Sequence, residues 1–109
     1  MQEFDEIVQT IGLLQVEFED LALRGLRATG SQHLAKLEML RAECQRIGAD
    51  HLAGRVGALA AAIRNDDRDA AAALLRAQAS LRVFDRILTL EYAAAALSNP
   101  AADDNEDEA

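Results

Sequence analysis

Apolar residues recur at helical spacing along almost the whole chain, and they sort into four segments. In the first, Phe4, Ile7, Ile11, Leu14, Phe18, Leu21, Gly25 and Ala28 alternate steps of three and four, a heptad seam that predicts one long helix over residues 3–29. Leu13, Val16 and Leu23 widen that seam into a second contact stripe. Thr29-Gly30-Ser31 then reads as a stop and a start, with Gly30 the left-handed residue past the helix end and Ser31 the cap of the next helix. A second helix, about 32–47, places Leu34, Leu37, Leu40, Cys44 and Ile47 on one face, and Gly48 ends it. A third, about 51–64 and capped by Asp50, buries Leu52, Val56, Leu59 and Ile63; Gly54 and Gly57 read as places where a neighbouring backbone comes close.

The fourth segment organises the rest. Residues 69–97 run without Gly or Pro and are rich in Ala, Leu and Arg, all strong helix formers. Asn65-Asp66-Asp67 precedes them as a start signal and Asn99-Pro100 follows as a stop. Leu74, Ala77, Leu81, Phe84 and Leu88 form one stripe, and Leu75, Ala79, Val83, Ile87, Leu90, Ala94 and Leu97 form another beside it. Short connections make successive helices antiparallel, so the expected fold is all-α: an up-down-up-down four-helix bundle over 1–98, with two long outer helices and two short inner ones. Residues 99–109 hold nothing larger than Ala, Asn, Pro or an acid, and are expected to be a disordered acidic tail.

Helix lengths point to a contact surface. In this topology the start of the first helix and the end of the last lie at the same end of the bundle. Both outlast the inner pair, so they should project as a two-helix stalk. Its apolar residues are Phe4, Ile7, Val8 and Ile11 from the first helix, with Ile87, Leu90, Tyr92, Ala94 and Leu97 from the last. The expected occupant of that surface is a second copy or another helical protein.

Charge changes which partners are sensible. The net charge is −8, and six acids with no base fall in residues 1–23 and five more in 99–109. Acidic ends around a mildly basic middle argue against nucleic acid, which requires clustered cations. The start lacks a signal-peptide pattern and no apolar run reaches membrane-spanning length, so no membrane partner and a cytoplasmic location are expected.

Candidate chemistry is sparse. His33 and His51 sit in the first turns of antiparallel neighbours, at opposite ends of the bundle, where they cannot share a metal. The single cysteine, Cys44, falls on an apolar seam. A Cys44/His51 pair across the Gly48 turn is the one catalytic or small-molecule alternative, a pocket between helices. Arg76, Arg82 and Arg86 on the last helix read as surface ion-pair partners, Arg82 for Asp85 and the others for the acidic first helix. No motif points to a cofactor, a metal or an enzyme activity.

The stretch ALRGLRATGSQHLAKLEMLRAECQRIGADHLAGRVGALAAAIR followed by LLRAQASLRVFDRILTLE resembles helical segments that accompany bacterial SWIM zinc-finger proteins. The similarity covers residues 22–91 and rests on Leu, Ala, Arg and Gly spacing. The family's zinc ligands are absent, since Cys44 stands alone. The resemblance implies a helical accessory to a larger assembly, without metal, and assigns no role to any residue. The expected function is that of a non-enzymatic protein–protein interaction module: an adaptor, assembly factor or regulatory subunit.

Overall fold

A computed structural model of the chain describes residues 2–98. The tail expected over 99–109 lies outside the described residues. Four helices follow in order: α1 (Gln2–Arg24), α2 (Ser31–Arg46), α3 (Asp50–Arg64) and α4 (Ala70–Leu97), with a short 3₁₀ turn at Leu26–Ala28 between α1 and α2. Each packs on the next, and α1 closes the ring by lying against both α4 and α2, which is the up-down-up-down bundle. The molecule measures 57 × 24 × 20 Å, so its cross-section is about two helix diameters each way.

The seams pack as their spacing predicts. Ile11, Leu14, Phe18 and Leu21 of α1, Leu37, Leu40 and Cys44 of α2, Leu52, Val56 and Leu59 of α3, and Leu74, Ala77 and Leu81 of α4 form one buried cluster. Ile7, Leu34, Ile47, Ile63, Phe84 and Leu88 are half-buried around it. The core is aliphatic and Ala-lined, with Phe18 its one fully buried aromatic.

Helix ends depart from the expected pattern in one place that matters. The first helix stops at Arg24, five residues early, because Gly25 takes φ +86° and turns the chain out of the helix. Gly25 and Ala28 therefore leave the seam and are exposed. Gly30 is not left-handed; it is extended (φ −91°, ψ 178°) and is itself the residue before α2, with Ser31 already helical. The second turn is as expected: Gly48 at φ +84° lets Ala49 N–H reach Cys44 C=O at 2.8 Å and its own N–H reach Gln45 C=O at 3.1 Å, the paired closure of a helix end. Asp50 is the first residue of α3 and Ala49 the one before it, so no side chain caps that end.

Two further readings are corrected. Leu13, Val16 and Leu23 are not a contact stripe; they are 45%, 63% and 88% exposed, because no helix lies on that side of α1. The glycines of α3 do not admit a backbone. A Cβ at Gly54 would meet nothing within 4 Å, and at Gly57 it would meet only the Arg41 side chain, at 2.9 Å. Arg41 itself is held over α3 by Glu38, whose carboxylate also lies 3.4 Å from Arg64 and ties α2 to α3. The Arg41 hydrogen bond is the chief reason the Glu38 carboxyl is lowered from its ordinary range.

Candidate interaction surface

α4 is the longest helix, 28 residues or roughly 42 Å, and its burial stops halfway. Beyond Leu81 no residue of α4 is buried; Phe84, Asp85 and Leu88 are half-buried and the rest are exposed. The α2–α3 turn is the reason. Gly48, Ala49, Asp50 and His51 lie beside Val83, Phe84 and Ile87, so the inner pair ends at that level while α4 continues for about ten residues, or roughly 15 Å.

The first helix accompanies α4 part of the way. The rings of Phe4 and Tyr92 stack with centroids 4.5 Å apart, which sets the start of α1 against the last two turns of α4. Arg46, at the end of α2, reaches Glu6 at 3.1 Å, so α2 covers α1 to within about one turn of its start. The projection is therefore two helices at its base and α4 alone over about its last turn, because α1 starts at the level of Tyr92 while the α2–α3 turn lies lower, beside Phe84 and Ile87.

The expected interface residues divide accordingly. Ile11 is only 5% exposed and belongs to the core, a correction that follows from α2 reaching this level. Phe4 and Ile7 are half-buried, on the face that α1 turns toward its neighbours. Val8, Ile87, Leu90, Tyr92 and Leu97 are exposed. To these the structure adds the whole second stripe of α4. Leu75 is 65% exposed, Val83 58%, Ile87 49%, Leu90 63% and Leu97 81%, with Ala79 and Ala94 exposed between them. A continuous apolar line thus runs along the outer side of α4 from the bundle to its tip.

The arginines beside that line are free of the partners expected for them. Ion pairs elsewhere join Arg24 to Asp20, Arg41 to Glu38, Arg46 to Glu43 and Glu6, and Arg64 to Glu38. Among the described residues Arg76, Arg82 and Arg86 make none, including with Asp85 or with the acids of α1. Glu6, Glu17 and Asp20 of α1 face α2 instead. Arg76 also lines an open groove of about 570 Å³ between the start of α3 and the middle of α4, together with His51, Arg55, Ser80 and an apolar floor of Leu52, Val83, Phe84 and Ile87.

That groove separates the two members of the alternative site. His51 opens onto it, but Cys44 is fully buried on the α2 seam and does not line it. Burial, aided by the neighbouring Glu43 charge, pushes the Cys44 thiol up to about 11. The linkage runs one way: the fold keeps the thiol neutral, whereas an unfolded chain ionises it near 9. Stability from this group is therefore whole below about pH 9 and is lost as pH rises toward 11. We expect the unfolding free energy of the wild type, from urea titrations, to fall between pH 9 and pH 11 more steeply than that of Cys44→Ala, by up to about 1.4 kcal/mol per pH unit, and the folded thiol to resist labelling at pH 8. Equal slopes for the two proteins would mean that the thiol is not buried in solution.

One polar cluster escaped the sequence. Glu17 of α1 is 2% exposed, and its carboxylate accepts a hydrogen bond from His33 Nδ1 of α2 at 2.8 Å. Asp20 lies 3.6 Å from the same nitrogen, and Lys36 Nζ lies 3.8 Å from Glu17. Ligand atoms of Glu17, Asp20 and His33 fall within 4.8 Å of one another, close enough for a metal ion. Their two negative charges are already matched, Glu17 by Lys36 and Asp20 by Arg24 at 3.0 Å. The arrangement works as a clamp between α1 and α2. The signal for it was present: Thr10, Leu14, Glu17 and Leu21 follow heptad spacing, so Glu17 lies on a buried line.

No helix among the described residues is long and apolar enough to cross a membrane. The chain matches no protein-family model, no curated protein and no solved structure.

Proposed function

We propose that this chain is a non-enzymatic helical interaction module, an adaptor, assembly factor or regulatory subunit, that acts through the projecting half of α4. The observation that carries this is the outer line of Val83, Ile87, Leu90 and Leu97, four large apolar side chains 49–81% exposed on one side of one helix. Scattered single hydrophobes are ordinary on a surface, but an aligned row on a helix that outlasts its bundle fits a helical partner. We propose further that it acts in the cytoplasm, on protein rather than on nucleic acid or membrane. A second reading, a small-molecule site, is favoured only by the His51 groove, whose volume suits a ligand.

The test is affinity capture from the native host with the wild type and with Ile87→Asp/Leu90→Asp. Both residues are exposed, so helix content and melting temperature should hold while the captured proteins disappear. Unchanged capture by the double variant would overturn the proposal.

A further inference from the structure

We infer that the outer face of α4 pairs with the same face of a second copy, antiparallel, about a two-fold axis near Ile87. The partner so named rests on the interaction reading above.

Three observations favour this occupant. The first is the order of sizes along the line. Leu75, Ala79, Val83, Ile87, Leu90, Ala94 and Leu97 run large, small, three large, small, large, and read the same from either end. A two-fold contact demands such a pattern, because each residue meets in the partner the position that meets it. In antiparallel register Val83 faces Leu90 of the second copy, Ala79 faces Ala94 and Leu75 faces Leu97. The paired alanines let the two backbones approach.

The second is charge. Arg76 and Arg82, unpaired among the described residues, fall in the first part of the exposed line, and Arg86 lies at its middle, beside the axis. Glu91 falls in the last part, and the sequence adds five acids after residue 102. In the same antiparallel register Glu91 of each chain falls opposite Arg82 of the other. A parallel pair would set arginines on arginines and acids on acids.

The third is area. Five large side chains exposed by half to four-fifths, at roughly 100 Å² each, with Ala79, Ala94 and the arginine stems, offer about 600 Å² per copy, or about 1,200 Å² in all, above the ~1,000 Å² of a specific contact. Antiparallel pairing also sends the two bundles to opposite ends, where each leaves the other's projecting helix room.

Sedimentation of the purified protein from 1 to 200 µM, and disulfide trapping, test this. We expect a dimer whose dissociation constant rises about tenfold or more between 50 and 500 mM NaCl, and a monomer of unchanged helicity for Ile87→Asp/Leu90→Asp. Mixing an Ala79→Cys protein with an Ala94→Cys protein should give the mixed disulfide dimer, with the unmodified chain and its buried Cys44 as the uncrosslinked control. Ala94→Cys linking to itself would mean a parallel pair and would overturn the inference. A wild type that stays monomeric at 200 µM would also overturn it. If the double variant then still loses its captured proteins, the interaction module stands with a different partner; if it keeps them, both readings fall.

Discussion

Phe18→Ala is expected to destabilise the protein by about 3–5 kcal/mol, a large share of the ~5–15 kcal/mol that holds a domain of this size together. Phe18 is 1% exposed and is the only aromatic ring wholly inside the core, so its removal opens the largest cavity that one truncation can make in this bundle. The gap opens on the buried face of α1, the helix with the fewest close approaches to its neighbours. Leu90→Ala, on the projecting half of α4, should stay within about 0.5 kcal/mol at low micromolar concentration. Urea unfolding by circular dichroism reads both. A loss of 2 kcal/mol or more for Leu90→Ala in a monomeric sample would mean that the projection folds back onto the bundle, contrary to the exposure seen here.

The division between a packed half and a projecting half was partly legible in the sequence. Periodicity identifies residues that share a face, so the seams through Leu14 and Phe18, Leu37 and Leu40, Val56 and Leu59, and Leu74 and Leu81 could be read directly. It does not say whether a neighbour lies on that face. Leu13, Val16 and Leu23 and the outer line of α4 have the same spacing as core stripes, yet they stay largely exposed. Whether they are covered depends on how the four helices are arranged in cross-section, which spacing along one helix does not encode.

Glycine was misjudged for a related reason. Gly25 stands inside an unbroken apolar pattern and Gly30 between Thr and Ser, so local context favoured a stop at Gly30. The backbone turns at Gly25 because α2 must return alongside Phe18 and Leu21, a tertiary demand. Gly54 and Gly57 looked like close-approach sites by their spacing, but one faces open space and the other an arginine side chain. The groove beside His51 was half anticipated. The turn that should have joined Cys44 to it instead leaves the thiol pointing into the α2 seam.

Among polar substitutions the largest effect should come from the α1–α2 clamp. His33→Ala leaves the Glu17 carboxylate in an apolar setting with only Lys36, at 3.8 Å, for company. Removing one partner of a buried pair costs ~3–5 kcal/mol in general, because the remaining charge loses its solvation twice over. Here His33 is about one-fifth exposed and water can enter where it stood, so about 2 kcal/mol is expected. Lys36→Ala should cost under about 1 kcal/mol, since that side chain is half in solvent and its contact is long. Glu17→Met removes the buried charge itself and fills the same space on the Leu14 and Leu21 line, so it should be neutral or slightly stabilising. The decisive comparison is the double variant Glu17→Met/His33→Ala. With no carboxylate left to strand, it should be more stable than His33→Ala alone, giving a coupling of about 1–2 kcal/mol in a urea-unfolding cycle. Strict additivity would show that Glu17 is hydrated in solution and that the hydrogen bond to His33 does not hold α1 against α2.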